Sequence, residues 1–154
     1  MDRLFSARIQ RNWYVEMGSL DVYYLAEHGA KPIVLASSED VDSLIDQVSA
    51  GSPPGAPIMM DVHLSGDPYA QGLDVGVASD RGMVRYAGGD WPLGVISAGT
   101  GDAPDVEVAY FYMGNWRGFP ARSEISLVTV SQAIKEFMVS NGARPTCVQW
   151  EPSP

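Results

Sequence analysis

Leu73-Asp74-Val75-Gly76-Val77-Ala78-Ser79-Asp80-Arg81-Gly82-Met83-Val84-Arg85-Tyr86 is the stretch that decides the fold class. Leu73, Val75 and Val77 alternate with Asp74 and Gly76, the two-residue period of a strand with one buried side. Asp80-Arg81-Gly82 carries turn chemistry, and residues 83–86 return as a second strand, so a hairpin is expected. Upstream, Ile58, Met60, Val62 and Leu64 alternate with Met59, Asp61, His63 and Ser65, another strand. Downstream, residues 106–113 (VEVAYFYM) are apolar on both sides apart from Glu107, which predicts a central strand covered on both faces. Shorter strands are expected at 12–15, 22–25, 33–36, 94–97, 124–128 and 146–150, with loops rich in Gly and Pro at 51–56, 65–72, 88–92 and 98–104.

Two helices interrupt this pattern. At about 38–50, Val41, Leu44, Ile45 and Val48 fall on one helical face. Ser37 with Asp40 has the spacing of a capping box, Gly51 offers a left-handed stop and Pro53-Pro54 prevents continuation. At about 130–140, Val130, Ala133, Ile134, Phe137 and Met138 share a face, Thr129 with Gln132 suggests a cap, and Asn141-Gly142 ends the run. The expected architecture is α+β: a mainly antiparallel sheet with these two helices packed on it. Nothing divides the chain, so one domain over 1–154 is expected.

Charge narrows the possible partners. The 154 residues carry 10 Lys and Arg against 19 Asp and Glu, a formal net charge of −9. Of the acids, 12 lie in residues 38–110, where the only bases are Arg81 and Arg85. Such a field attracts basic partners and opposes direct binding of nucleic acid, which needs cations against its phosphates. Trp116-Arg117 could stack on a single strand, but the acidic middle region works against that use. The apolar share is 45% and Cys147 is the only cysteine, as in a folded protein of a reducing compartment. No secretory signal and no membrane-spanning run are evident, so a cytoplasmic protein is expected.

Catalytic and metal chemistry finds little support. His28 and His63 are far apart, and a lone strand histidine such as His63 reads as a surface residue; Asp61-x-His63 lacks a third ligand. Neither a metal nor a cofactor is therefore expected. Gly99-Thr100-Gly101-Asp102 lacks the lysine of a phosphate loop and reads as a turn. Cys147 reads as an inert thiol inside the last strand. A small enzyme using Asp61, Asp74 and Asp90 is the residual catalytic reading, and exposed, distant carboxylates would remove it. Large rings beside charges in the loops point instead to a protein interface. Asp67, Tyr69, Asp80, Asp90, Trp91, Asp102, Asp105 and Trp116 are the candidate partner-binding residues.

The last third has a distinctive order. Phe111-Tyr112-Met113-Gly114 is followed by Phe119-Pro120, Glu124-Ile125 and a helix with Ala133, Glu136 and Phe137. The chain then runs from Asn141-Gly142 through Arg144-Pro145 to Val148-Gln149-Trp150. Upstream come Val84-Arg85-Tyr86 and Ser97-Ala98-Gly99. Over residues 73–150 this resembles the Imm1 family of bacterial immunity proteins; residues 1–55 contribute little to the resemblance. The resemblance implies an α+β domain that binds and neutralises a cognate toxin domain, often a nucleic-acid deaminase, without catalysis of its own. It carries over no contact residue. Gly142, Arg144, Pro145 and Trp150 are read as structural. The other reading is a non-catalytic regulatory or scaffold domain that binds a host protein.

Overall fold

The computed structural model describes residues 18–51, 56–67, 70–89, 91–99 and 101–154; the expected strand at 12–15 and the Pro53-Pro54 stop lie outside them. The central hairpin forms as its alternation requires. Strands β3 (Ile58–Leu64), β4 (Gly72–Val77) and β5 (Arg81–Gly88) run antiparallel, with Asp61 opposite Asp74 and Asp74 opposite Arg85. The turn between β4 and β5 closes with the Ala78 amide donating to the Arg81 carbonyl at 2.8 Å.

Around this centre the sheet extends both ways. On one side lie β1 (Leu20–Tyr23) and β2 (Ile33–Leu35); on the other lie β6 (Trp91–Ser97) and β10 (Trp150–Pro152), all antiparallel. The short β9 (Ile125–Ser126) takes the edge of β5 beyond the reach of β6.

One face of the sheet is apolar because Leu20, Val22, Val62, Leu73, Val75, Val84 and Val95 all point to it. Helices α1 (Ser38–Ser49) and α2 (Leu127–Val139) cover that face. The predicted stripe of α1 is buried, and the Ser37 hydroxyl accepts from the Asp40 amide at 3.2 Å. The Asp40 carboxylate accepts from the Ala36 amide, one residue outside a true box. Gly51 does not enter the left-handed region; its amide closes the last turn on the Val48 carbonyl. Helix α2 starts three residues earlier than expected. Ser126 caps it by accepting from the Thr129 amide at 3.2 Å, so the expected strand at 124–128 is a two-residue bridge followed by helix. Ser126→Ala is expected to cost about 1 kcal/mol in denaturant unfolding, whereas Thr129→Ala, inside the first turn, costs less than half of that.

Among the described residues the opposite face is covered in part, by a hairpin. Strands β7 (Glu107–Tyr112) and β8 (Asn115–Pro120) form a hairpin that joins the sheet at one point, Ile58 opposite Phe111. Tyr110 and Phe119 reach down from it onto Met59, Met83 and Ile96. Gly76 leaves room for the Tyr110 ring, since a Cβ there would lie 2.8 Å from it. The expectation of a central strand at 106–113 is therefore wrong. On the outward side of β7, Glu107 and Ala109 are exposed among the described residues, and the Phe111 ring meets the Trp116 ring across the hairpin at 5.1 Å. Two-sided apolarity here serves a core contact on one side and an aromatic pair on the other.

Candidate partner-binding surface

A groove lies at the end of the sheet where β4 turns into β5. Its construction begins with Ser97-Ala98-Gly99. The Ser97 hydroxyl accepts from the Val84 amide and donates to the Ser123 carbonyl, and the Gly99 amide donates to the Arg122 carbonyl. A Cβ on Gly99 would lie 2.1 Å from the Glu124 carbonyl oxygen, so only glycine lets the segment before β9 approach so closely. The 101–106 loop folds over the other side, where the Ala121 amide donates to the Val106 carbonyl. The groove is open to solvent and has a volume of about 770 Å³. Pro104, Val106, Val108 and Ile125 give it apolar walls, and Asp80, Asp102 and Glu124 bring carboxylates.

Glu124 is the half-buried member of that set. Its Oε2 accepts from the Tyr110 hydroxyl at 2.7 Å, and its Oε1 faces the Arg81 guanidinium at 3.6 Å. Burial, then the neighbouring carboxylate, drives the Tyr110 hydroxyl far above its ordinary pKa, so it stays a donor. Arg81 also approaches Asp80 at 3.4 Å.

The candidate residues do not converge on one site. Asp80 and Asp102 line the groove, and Asp105 is exposed in the loop beside it. Asp67 sits in the β3–β4 connection and Trp91 starts β6, both at the opposite end of the sheet. Trp116 lies on the outer side of the β7–β8 hairpin and is 64% exposed. Trp91 and Trp116 were expected in loops but belong to strands β6 and β8. Tyr69 and Asp90 lie outside the described residues. The sequence reading missed Glu124 and Val106 as groove residues, because nothing local marks them; each comes from a connection that crosses the end of the sheet.

Below the hairpin, the open face carries a polar lane. Asp61 pairs with His63 at 2.8 Å, and Arg85 donates to Asp74, to the Ser153 hydroxyl and to the Leu93 carbonyl. His63 is thus not a free surface residue: its side chain is 17% exposed, and the hydrogen bond that its Nε2 donates to the Asp61 carboxylate raises its pKa despite burial. Burial and then Asp61 raise the Asp74 carboxyl above the usual range, with Arg117 and Arg85 opposing. Asp61 and Asp74 are neighbours and half-buried, not dispersed as the test of the enzyme reading required, and their partners are the protein's own side chains. Among the described residues no three His, Cys, Asp or Glu side chains are placed to hold a metal ion.

The chain closes with a lock on α2. Asn141 and Gly142 adopt left-handed φ of 57° and 96°, and the Gly142 amide donates back to the Phe137 carbonyl. The Glu136 carboxylate accepts from the Thr146 amide and hydroxyl and from the Cys147 amide. The Trp150 indole donates to the Pro145 carbonyl at 2.8 Å, and its ring meets Tyr86 edge-on. Residues 29–152 match the family model for immunity protein Imm1. The chain belongs to the Imm1 family.

The Imm1 match begins far upstream of residue 73, taking in β2 and α1 as well as the tail. No curated protein matches this Imm1 chain. Within the Imm1 fold the tail residues act structurally. Gly142 allows the turn, Trp150 packs on the core beside Tyr86, and Arg144 lies 5.0 Å over the Trp91 ring. Trp91 is therefore partly engaged within the molecule. The structure corrects the placement of Cys147, expected inside a last strand at 146–150: it is exposed and precedes β10 (Trp150–Pro152). Local burial of the sulfur, and then Glu136, push its pKa up to about 11, which keeps it a poor nucleophile. No helix of the described residues is long and apolar enough to cross a membrane.

Proposed function

We propose that this Imm1 chain is the cytoplasmic antidote to a toxin domain that acts on nucleic acid, and that it works by covering the toxin's active site. Membership of the immunity family carries this reading. The acidic balance supports it. A toxin that holds a polyanion presents cations around its active site, and a protein of net charge −9 competes with that polyanion for them. Asp80, Asp102 and Asp105 supply negative charge at one end of the sheet, and Trp116 offers an exposed ring of the kind that anchors interfaces. No substrate is turned over in this role; the chemistry belongs to the toxin.

The test is direct binding between this chain and the toxin domain encoded beside its gene. Calorimetry is expected to show a complex that weakens as salt rises through physiological strength, where exposed charges are screened over about 8–10 Å. Trp116→Ala is expected to lose about 2 kcal/mol of binding while unfolding at the same temperature as the parent chain. Absence of a complex at micromolar concentration would remove the reading.

A further inference from the structure

The groove suits one kind of occupant. Its walls are apolar at Pro104, Val106, Val108 and Ile125, a contiguous lining in which Val106 is 56% exposed among the described residues. Its charges are acidic at Asp80, Asp102 and Glu124. The protein's own Arg81 stands at the rim, 3.6 Å from Glu124 and 3.4 Å from Asp80, which are long contacts for a guanidinium. A guanidinium is therefore accommodated here but loosely held. Glu124 cannot swing away to solvent, because the Tyr110 hydroxyl fixes its other oxygen.

From these features the geometry points to a specific ligand: an extended segment of the toxin, carrying one arginine flanked by apolar side chains at alternate positions. The arginine takes Glu124 and Asp102 and pushes Arg81 outward; the apolar side chains cover Val106 and Ile125. Alternate residues of an extended segment share a face, so a five-residue stretch presents all three side chains together. This rests on the proposed toxin-binding role for the partner's identity, but the groove chemistry is testable without the toxin.

The probe is acetyl-Leu-Ser-Arg-Ser-Leu-amide, titrated into the full chain with backbone amide resonances followed by NMR. Shifts are expected at Gly99, Val106, Val108, Ser126 and Thr129. The same peptide with citrulline in place of arginine is expected to bind about tenfold more weakly, because shape is kept and charge removed. Val106→Lys is expected to weaken the arginine peptide at least as much. Val139→Lys makes the same charge change at another exposed valine, on the far end of α2, and is expected to leave binding unchanged. Shifts spread equally over the acidic face of α1, equal binding of the citrulline peptide, or equal loss in the two lysine variants would each overturn the groove. None of those results touches toxin binding, and failure of the chain to bind the toxin would not remove a peptide response confined to the groove.

Discussion

Gly82→Ala is expected to lower the unfolding free energy by about 3 kcal/mol, at the upper end of what overpacking costs. Gly82 lies where β5 is held on both sides, opposite Val77 of β4 and Ile125 of β9. A Cβ there would come 2.1 Å from the Gly76 carbonyl oxygen and 3.1 Å from Val130 of α2. The first neighbour is backbone in a central strand and has no rotamer to escape into. Either the β4 ladder opens or β5 is pushed against α2, and both disturb the end of the sheet that carries the groove. Thermal unfolding is expected to shift down by roughly 10 °C for a chain of this size. Gly29→Ala, with nothing within 4 Å of the added carbon, is the control and is expected to be neutral or slightly stabilising. Equal behaviour of the two variants would show that β5 is not held tightly against β4 and α2 at Gly82.

Arg85→Leu is expected to cost about 3 kcal/mol, and Asp74→Asn is expected to restore a good part of it. Arg85 is the cation placed directly on Asp74, and it also ties β5 to Leu93 and Ser153. Removing it takes the hydrogen-bonded cation from Asp74 and leaves it beside Asp61 with Arg117 still opposing their repulsion. The raised pKa of Asp74 already signals that its ionised form is poorly accommodated. For the same reason Asp74→Asn alone is expected to cost less than about 1 kcal/mol. Denaturant unfolding of the four proteins in a double-mutant cycle measures the coupling. Simple additivity would mean that Arg85 acts through Ser153 and Leu93 and not through the carboxylate.

Much of the architecture was legible from the chain alone. The period of two in 58–64 and 73–77, the hairpin that follows it and the stripe of α1 depend on residues within a few positions of one another, although the turn, expected at 80–82, closes earlier, with Arg81 and Gly82 already in β5. The failures have physical causes as well. Leu127-Val128-Thr129-Val130 has strand-like composition, yet one serine cap set it as helix. The apolar run before Gly114 looked central because sequence cannot tell an aromatic pair across a hairpin from a second covering layer. The motif Ser97-Ala98-Gly99, part of the family resemblance, proved to be an anchor for residues 122–124.

By itself, the sequence determined the class of fold, the family and the acidic character, because alternation, capping, tail motif and net charge are properties of the chain as written. Only the tertiary structure decided which acids act together. Asp80, Asp102 and Glu124 are distant in sequence and meet because β9 is laid against β5, while Asp67 is carried to the other end of the sheet. Register between strands is settled by burial over the whole sheet, so the grouping of exposed charges is its by-product and leaves no local trace.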